Sequence, residues 1–382
     1  MPELAKHDLC TGCTACAAVC PKGCIAMEAD ADGFRYPVVD ESKCVACALC
    51  EKACPVLDRA ELNHTPTAWA VRSRDEASRR ASTSGGVFPE LARAVLAQGG
   101  AVFGAAYDEQ FRVVHICAEN EAELDRLRGA KYAQSDLNGS FREVKRRLEE
   151  GQQVLFSGTP CQVLGLRSFL KRDYDNLLLV DLVCHSIPSP LVWEKYLQYI
   201  SEGKNLTAVN LRSKETGWSR YGYSNRFDFS DGTSRMDKSG ESLYMKLFGG
   251  GYITRLACTD CPAKGYARVS DLTLGDFWGI WDIAPELDDD RGTSVVLVQT
   301  EKGRAALARL EQKAVTLEES SRENPAILRP AAPTPLREQA MALVREGDFD
   351  AAARLIPAAA PRKKPGLLRR GVGFLKRRLR GR

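Results

Sequence analysis

Two copies of the pattern C-x2-C-x2-C-x3-C-P stand near the start of the chain. The first copy is Cys10, Cys13, Cys16, Cys20 and Pro21, and the second is Cys44, Cys47, Cys50, Cys54 and Pro55. Each cysteine of the second copy follows its counterpart by 34 positions, which indicates an internal repeat. In such runs the first three cysteines ligate one [4Fe–4S] cube, and the fourth cysteine ligates the other. The pattern therefore predicts two cubes that exchange their fourth ligand.

This exchange defines two sets of ligands. The first thiol set is Cys10, Cys13, Cys16 and Cys54, and the second thiol set is Cys20, Cys44, Cys47 and Cys50. A disulfide framework and a pair of zinc sites are the alternatives. Disulfide frameworks suit small secreted domains, and zinc motifs do not usually place four such dense cysteines before a proline. The spacing therefore favours iron–sulfur clusters.

Six further cysteines lie outside the repeats. Cys24 and Cys117 stand in apolar surroundings, where we expect small buried side chains. The other four form the third thiol set: Cys161, Cys184, Cys258 and Cys261. Two predicted strand ends and one C-x2-C loop would supply these four thiolates to a third [4Fe–4S] cluster. A zinc site is one alternative, and another is a reactive thiol at Cys161 whose pKa is lowered by a helix N-terminus.

Two polar segments are candidates for binding an anionic ligand. The segment STSGGV (82–87) opens a predicted helix with hydroxyls and glycines, which suits a phosphate group. Its alternative is a plain helix start at which Ser84 is the N-cap. The segment 212–218 is basic and aromatic and would face an anionic or planar ligand, unless it is surface. No G-x-G-x-x-G or P-loop motif stands in a supporting context.

Other side chains near predicted strand ends are candidates for redox chemistry. Asp276, Phe277, Trp278 and Gly279 follow a predicted strand, with Trp281 shortly after. These aromatic rings would flank a flavin ring or form a core cluster. His185, directly after Cys184, is the candidate proton donor, and a structural role is its alternative.

Helices and strands alternate after the repeats, and these elements must position the candidate residues. Strands are predicted at residues 68–71, 101–107, 111–117, 154–157, 177–183, 225–229, 272–274 and 295–299. Helices are predicted at residues 86–98, 141–150, 161–170, 191–200 and 302–312. The fold class is therefore an α/β (or α+β) catalytic domain preceded by a small ferredoxin-like dicluster domain. The expected divisions are residues 1–60, 67–345 and a basic tail at 357–382.

Charge and composition bound the cellular setting. The chain has 382 residues, 14 cysteines and neither a secretory signal nor a long apolar run, so we expect a reducing cytoplasm. The net charge of +4 conceals ten Lys or Arg residues between 362 and 382, which leave the remainder at −6. This tail is either an amphipathic contact to an anionic membrane surface or a solvated terminus. Nucleic-acid binding is not expected, because the acidic body would repel phosphates.

Seven segments, in order, resemble the beta subunits of coenzyme F420-dependent hydrogenases and dehydrogenases. They are STSGGVF (82–88), GGAVFGAAYD (99–108), KYAQSD (131–136), LFSGTPCQV (155–163), VDLVCHSIPSP (180–190), RSKETGW (212–218) and SDLTLGDFWGIWDIAPELDDDRGTS (270–294). The cysteine repeats ahead of them resemble the single-chain, ferredoxin-bearing branch of this family. The plant reductase of hydroxymethyl-chlorophyll belongs to the same wider group.

The resemblance implies an iron–sulfur flavoprotein that binds FAD and moves electrons to or from a planar substrate such as coenzyme F420. It makes the third thiol set the ligands of a cluster near the flavin. The candidate cofactor-binding residues are Ser84, Gly85, Gly86, Lys131, Tyr132 and Thr159. An electron donor or acceptor protein and a small redox molecule are the expected partners. The alternatives are a non-catalytic electron-transfer subunit, a protein that has lost its flavin, and a member serving a cell-envelope polysaccharide pathway.

Overall fold

The structure is a computed structural model that describes residues 2–59, 61–219 and 222–357. Apart from Pro357, the predicted basic tail lies outside the described residues. No helix in the described part of the chain is long and apolar enough to cross a membrane.

The cysteine repeats fold around a short antiparallel hairpin. Its strands are β1 (Ile25–Ala29) and β2 (Arg35–Val39), and the helices α1 (Ala15–Val19) and α2 (Leu49–Lys52) follow the first cysteines of each repeat. Asp30 Oδ1 accepts hydrogen bonds from the backbone N–H groups of Asp32 and Phe34, at 3.0 and 2.9 Å, and closes the turn. The sequence between the repeats predicts a strand at 25–27, a turn at 30–33 and a strand at 34–39, and the structure confirms all three.

The larger region contains eleven strands among the described residues. They are β3 (Thr67–Arg72), β4 (Ala101–Tyr107), β5 (Val113–Ala118), β6 (Val154–Ser157), β7 (Leu177–Leu182), β8 (Leu206–Ser213), β9 (Ser224–Phe229), β10 (Ser234–Lys238), β11 (Leu272–Asp276), β12 (Ser294–Val298) and β13 (Glu311–Val315). Eight of them form one mixed sheet in the order β13-β3-β12-β11-β7-β6-β4-β5, and β10-β9-β8 form a small antiparallel sheet. In the large sheet the central four strands run parallel, from β11 to β4, and the flanking pairs are antiparallel.

Helices cover both faces of the large sheet and the small sheet. They are α3 (Glu76–Arg80), α4 (Val87–Leu96), α5 (Glu121–Leu127), α6 (Ser140–Glu149), α7 (Pro160–Leu170), α8 (Pro190–Ser201), α9 (Leu243–Gly249), α10 (Ile280–Ile283), α11 (Glu301–Ala306), α12 (Leu317–Ser321), α13 (Arg337–Glu346) and α14 (Phe349–Arg354). Short 3₁₀ helices lie at Leu256–Asp260, Pro285–Leu287 and Pro325–Ile327. Leucines and valines of α4 and α5 pack on one face of the large sheet, and those of α6 and α7 pack on the other. The predicted α/β fold class is confirmed.

One predicted helix is wrong in its second half. The sequence predicts a helix over residues 302–312, but α11 ends at Ala306 and the chain enters β13 at Glu311. Strand β13 pairs antiparallel with β3, with Gln312 opposite Val71. Backbone hydrogen bonds to the edge of a sheet outweigh the local preference for a helix, and the residues themselves give no sign of this edge.

Ion pairs and close packing dock the hairpin turn onto the larger region. Asp32 pairs with Arg337 and with Arg345 of α13, each at 3.1 Å. Gly33 adopts φ 81°, and a Cβ there would lie 2.5 Å from Leu191 Cβ of α8. Only glycine therefore allows the turn to approach α8 so closely. This contact fixes the cysteine repeats against the elements that carry the third thiol set.

Candidate redox site

Two small cavities in the cysteine repeats group the cysteines in the two predicted sets, while the role of these cysteines as ligands stays a prediction. One cavity is lined by all members of the first thiol set, and the other by all members of the second. In each case the fourth cysteine of one repeat lies among the first three cysteines of the other. Thr14, Ala46 and Ala48, which neighbour these cysteines, have positive φ of 65°, 50° and 56°. Such backbone strain in non-glycine residues persists where the surroundings impose it, often at functional sites.

Cys24 brings a fifth thiol to the second cavity. It is buried, as predicted, and its Sγ lies 3.3 Å from Cys20 Sγ. Cys117, the other cysteine expected to be a small core residue, is half-buried in β5. Both thiols therefore lie where the fourth ligand of the second set is expected. The C-x2-C-x2-C-x3-C-P pattern predicts that Cys20 and not Cys24 is that ligand.

We predict that Cys20→Ala lowers the iron content of the anaerobically purified protein by about four atoms per chain, since one cube loses a ligand. The matched variant Cys24→Ala is expected to retain all the iron. Iron and acid-labile sulfide analysis measures both. The reverse result would make Cys24 the ligand and reject the pattern-based assignment.

The structure brings the third thiol set together from four places in the chain. Cys161 is the second residue of α7, and Cys184 follows the end of β7. Cys258 lies in the 3₁₀ helix 256–260, and Cys261 follows it. The four thiols are close enough to interact electrostatically with one another. The two strand ends and the C-x2-C loop therefore converge as the sequence predicts, while the role of these residues as ligands stays a prediction.

Single-ion sites are a separate question. Within the described ranges, no group of three or more His, Cys, Asp or Glu side chains is arranged to hold one metal ion. In a cube, by contrast, the four thiolates are distributed over four irons.

Burial keeps three thiols of the third set, those of Cys161, Cys184 and Cys258, protonated unless a metal binds. It raises the pKa of Cys161 to about 11 and that of Cys258 to about 12, and it raises the pKa of Cys184 well above the usual range. The alternative of a reactive Cys161 with a lowered pKa is therefore wrong, because burial outweighs the helix N-terminus. A metal that binds here must displace the thiol protons.

Helix α7 brings the first and third thiol sets close to each other. A Cβ at Gly165 would lie 2.7 Å from Cys13 Cβ and 2.9 Å from Cys13 Sγ, so only glycine fits at this point of the helix. Gly165 lies about one helical turn after Cys161. The Cys13 and Cys161 thiols interact electrostatically. The first set is thus the N-terminal set that faces the third.

A cavity of about 900 Å³ opens at the carboxyl ends of β6, β7 and β11. This volume is within the usual range for a cofactor or substrate pocket. Cys184 of the third thiol set lines it, as does His185. Five of the six predicted cofactor-binding residues also line it, namely Ser84, Gly86, Lys131, Tyr132 and Thr159. Gly85 lies behind the wall, where its N–H donates to Ser294 Oγ at 3.0 Å.

Hydrogen bonds to neighbouring segments fix the turn before α4. Gly86, in the left-handed region at φ 79°, is the N-cap, whereas Ser84 Oγ donates to the Thr293 carbonyl at 3.1 Å. The alternative in which Ser84 caps the helix is therefore wrong. Lys214 Nζ donates to the carbonyls of Ser84 and Arg79, both at 2.7 Å. Lys214 thus supports the turn, and burial lowers the pKa of its ammonium to about 7.

Arg212 lines the pocket and has two buried N–H donors without a partner among the described residues. Its Nη1 bonds to Asp276 Oδ2 at 2.6 Å, and its guanidinium stacks 4.0 Å from the centre of the Tyr223 ring. Its Nε and Nη2 are buried without a hydrogen-bond partner among the described residues. Buried donors in proteins are normally paired, so a ligand or a water with acceptor atoms would satisfy these two N–H groups. The expectation that segment 212–218 lies at the surface is wrong for Arg212, which is 5% exposed, and for Trp218, which is 1% exposed.

The aromatic residues after β11 divide between pocket and core. Trp278 lines the pocket and stacks on Trp218 at 5.2 Å between ring centroids, while Phe277 is fully buried in the core. Trp281 is exposed. Tyr223 and Phe248 also line the pocket and were not among the predicted residues, although the glycine run directly after Phe248 signals a close backbone approach.

A buried polar chain, also missed, borders the pocket. His115 Nδ1 lies 2.9 Å from Ser135 Oγ, which accepts a hydrogen bond from Gln162 Nε2 at 2.8 Å. Gln162 Oε1 accepts from the Thr159 N–H at 2.9 Å, and Thr159 Oγ1 lies 3.2 Å from Cys161 Sγ. A histidine inside a strand gives no sequence signal for such a network. The chain links the pocket wall to a member of the third thiol set.

The stability of the protein should depend on His115 in mild acid. Burial lowers the pKa of this imidazole to about 4 from 6.5, with Lys131 adding to the shift, and the Ser157 carbonyl and Asp136 opposing it. Its contribution to stability is therefore complete above pH 6.5 and is lost as the pH falls towards 4. Between pH 7 and about 5.5, we expect the unfolding free energy of the wild-type protein to fall by about 1 kcal/mol more than that of His115→Asn.

Denaturant unfolding at the two pH values measures this difference. His64→Asn, at an exposed position, is the control and should leave the pH dependence unchanged. An unchanged slope in His115→Asn would show that the imidazole is not held neutral by burial.

Comparison with known families matches two parts of the chain. Residues 9–57 match a 4Fe–4S dicluster domain. Residues 151–323 match the family described as the C terminus of the coenzyme F420 hydrogenase/dehydrogenase beta subunit. The third thiol set, most of its surrounding elements and Arg212 fall within the second match.

The chain is also similar to two curated proteins whose names include coenzyme F420. The F subunit of the F420H2 dehydrogenase of Methanosarcina mazei is 26% identical over 200 residues, which are 48% of this chain and 55% of that protein. Coenzyme F420-dependent sulfite reductase of Methanocaldococcus jannaschii is 23% identical over 336 residues, which are 83% of this chain and 48% of that protein. The chain thus spans about half the length of these relatives.

A chain in a xenon-derivatised structure of the F420-reducing [NiFe] hydrogenase complex from Methanosarcina barkeri aligns over 77% of this chain and 92% of its own length. Its TM-score is 0.46, and its sequence identity is 18%. Together the family matches confirm the resemblance seen in the sequence. The chain thus carries, in this order, a match to a 4Fe–4S dicluster domain and a match to the C-terminal family of coenzyme F420 hydrogenase/dehydrogenase beta subunits.

Proposed function

We propose that this protein is an iron–sulfur flavoprotein oxidoreductase. In this proposal it passes electrons from the two N-terminal [4Fe–4S] clusters via FAD to or from a planar two-electron substrate such as coenzyme F420. One observation carries the proposal: the third thiol set adjoins the first set on one side and, through Cys184, lines the large pocket on the other. Thiols that bind clusters in this arrangement connect a one-electron donor to a pocket of cofactor size.

The three thiol sets would act in a fixed order. Cys47 of the second set is exposed, so this set is the one that an electron-donor protein can approach. The first set lies against α7 through Cys13 and Gly165, and α7 begins with Cys161 of the third set. The order of the sets would therefore be second, first, third and then pocket.

The pocket residues fit the chemistry of FAD. The unpaired Nε and Nη2 of Arg212 offer two donors to a phosphate or to a ring carbonyl. Ser84, Gly86 and Tyr132 line the same cavity, which has a mostly apolar wall suited to a planar ring. When bound there, FAD would collect single electrons from the clusters and, with protons, exchange them in pairs with the substrate as hydride.

Two side chains would donate or exchange protons in the pocket. His185 lies next to Cys184, with its ring 6.5 Å from that of Phe248, and lines the cavity. It is our candidate donor of the proton that accompanies the electrons. Lys131 Nζ donates to the carbonyls of Arg126 and Arg128, at 3.0 and 2.7 Å, and burial lowers its pKa to about 7. Lys131 would therefore exchange its proton close to neutral pH.

Turnover by the purified chain tests the proposal. We expect the anaerobic protein to reduce coenzyme F420 when a reduced viologen supplies single electrons, with loss of the visible absorbance of F420. Arg345→Met, outside the pocket and the thiol sets, is the control and should keep this activity. A protein that contains flavin and all its iron yet leaves F420 unchanged would contradict F420 as the substrate.

A non-catalytic electron-transfer subunit is the second candidate. One observation favours it: the relative from Methanosarcina mazei is named as a subunit, and the chain spans about half the length of both curated relatives. Under this function the chain alone reduces no organic substrate but exchanges electrons with a partner enzyme. Oxidation of its reduced clusters only after addition of a co-purified partner would support it.

A further inference from the structure

The buried guanidinium of Arg255 lies between the first and third thiol sets. We propose that Arg255 is a shared counter-charge for the clusters held by these two sets and raises their reduction potentials relative to the cluster of the second set. This inference rests on the iron–sulfur part of the proposed function and is independent of the flavin and of the substrate.

Arg255 is 1% exposed and ties the cysteine repeats to the larger region. Its Nε donates to the carbonyl of Cys10 at 2.7 Å, and its Nη2 donates to the carbonyl of Arg35 at 3.0 Å. Its Nη1 donates to Gln134 Oε1 at 3.0 Å, and its guanidinium lies 4.0 Å from the centre of the Tyr36 ring. Arg255 is therefore fixed beneath the loop that carries three members of the first thiol set.

The hydrogen-bond partners of this cation are all neutral. Two are backbone carbonyls and one is a side-chain amide, and no carboxylate pairs with Arg255 among the described residues. Two other buried arginines, Arg212 and Arg79, are paired with carboxylates, those of Asp276 and Asp289. Burying a charge without a partner is strongly unfavourable. The clusters would supply this missing negative charge, since a cube with four thiolates is a net anion.

The backbone of Arg255 begins the segment that carries half of the third thiol set. Its carbonyl accepts a hydrogen bond from the Cys258 N–H at 3.1 Å. The Arg255 N–H donates to the Ile187 carbonyl at 2.9 Å, and the Ile187 N–H donates to Cys258 Sγ at 3.2 Å. The positive charge of Arg255 is close enough to act on the Cys161 and Cys258 thiols. The cation therefore acts on thiols of the third set as well as on the loop of the first.

The second thiol set lies outside this arrangement. The described hydrogen bonds of Arg255 reach the Cys10 loop, β2 and Gln134, and none of them reaches Cys20, Cys44, Cys47 or Cys50. A cluster gains one negative charge when it is reduced, so a nearby cation stabilises the reduced form. The reduction potential of a cluster depends on its net charge and its hydrogen bonds. Loss of Arg255 should therefore lower the potentials of the two neighbouring clusters only.

Redox titration of the anaerobically purified full chain, followed by the EPR signals of the reduced clusters, tests this inference. In Arg255→Met we expect at least about a tenfold loss in the reduction equilibrium constant of two clusters, which is about 59 mV each. The third midpoint potential should stay unchanged, and Cys47→Ser identifies that signal by removing it. Arg255→Lys keeps the charge and should recover most of the loss.

Two further variants separate charge from docking and from misfolding. Arg345→Met removes another contact between the cysteine repeats and the larger region, its ion pair to Asp32, and should shift no potential. Arg255→Gln is a second neutral variant that keeps a donor for the Cys10 carbonyl. If both neutral variants lose iron while Arg255→Lys retains it, the requirement for charge is itself demonstrated.

Three outcomes would overturn the inference: no shift in Arg255→Met, an equal shift of all three potentials, or an equal shift in Arg255→Met and Arg255→Lys. Failure of the proposed function gives a different result. In that case the wild-type protein itself shows fewer than three EPR centres, or three centres without flavin.

Discussion

Replacing Cys161 by serine is expected to lower the iron content of the anaerobically purified protein from about twelve to about eight atoms per chain. The change removes one of four converging thiols and leaves the first and second thiol sets complete. The hydroxyl keeps the start of α7 intact, so we expect a folded protein. Chemical analysis of iron and sulfide measures the loss, and the two N-terminal cubes should keep their EPR signals.

Cys117→Ser is the matched control, since Cys117 lies in β5 outside the three thiol sets. It should leave the iron content unchanged. Unchanged iron in Cys161→Ser would reject the third cluster, and the pocket would then have no electron path through Cys184. Loss of all iron would instead indicate that the three sites assemble together.

Replacing Arg212 by lysine is expected to weaken FAD binding by at least about tenfold. Lysine keeps a positive charge beside Asp276, but it lacks the two further N–H donors that Arg212, in the pocket lining, leaves without a partner among the described residues. A hydrogen bond to a charged group contributes about 1.5–3 kcal/mol, and about 1.4 kcal/mol corresponds to a tenfold change in affinity. Titration of flavin-depleted protein with FAD measures the dissociation constant.

Arg226→Lys is the control for this substitution. Arg226, on β9, pairs with Glu215 and Asp228 away from the pocket lining, so FAD should bind as in the wild type. An unchanged FAD affinity in Arg212→Lys would mean that the unpaired donors serve another ligand. Tighter binding of coenzyme F420 in the wild type than in Arg212→Lys would then identify that ligand.

The central elements of the fold could be predicted because their residues carry local signals. Apart from Asp181, strand β7 consists of leucine and valine, which is typical of a strand covered on both faces, and α7 begins at a Thr-Pro pair. Strand order and β13 could not be predicted, because they depend on backbone pairing between distant segments. The sequence leaves no mark of which strand edge β13 will join.

Some residues of the candidate site could likewise be predicted from local signals, and others could not. Dense cysteine spacing predicted the first and second thiol sets, and strand ends brought Cys161 and Cys184 into the predicted third set. Arg255 and His115 could not be identified, since a single arginine or histidine in an apolar stretch has no spacing to interpret. Their importance lies in what surrounds them, three neutral acceptors for Arg255 and a buried hydroxyl for His115.

Iron, sulfide and flavin analysis of the wild-type protein, purified without oxygen, distinguishes three clusters with a flavin from a dicluster carrier. We expect about twelve irons, about twelve sulfides and about one FAD per chain, which correspond to three cubes joined to one flavin pocket. About eight irons with no flavin would contradict this expectation. The chain would then be a dicluster electron carrier attached to a domain of different chemistry.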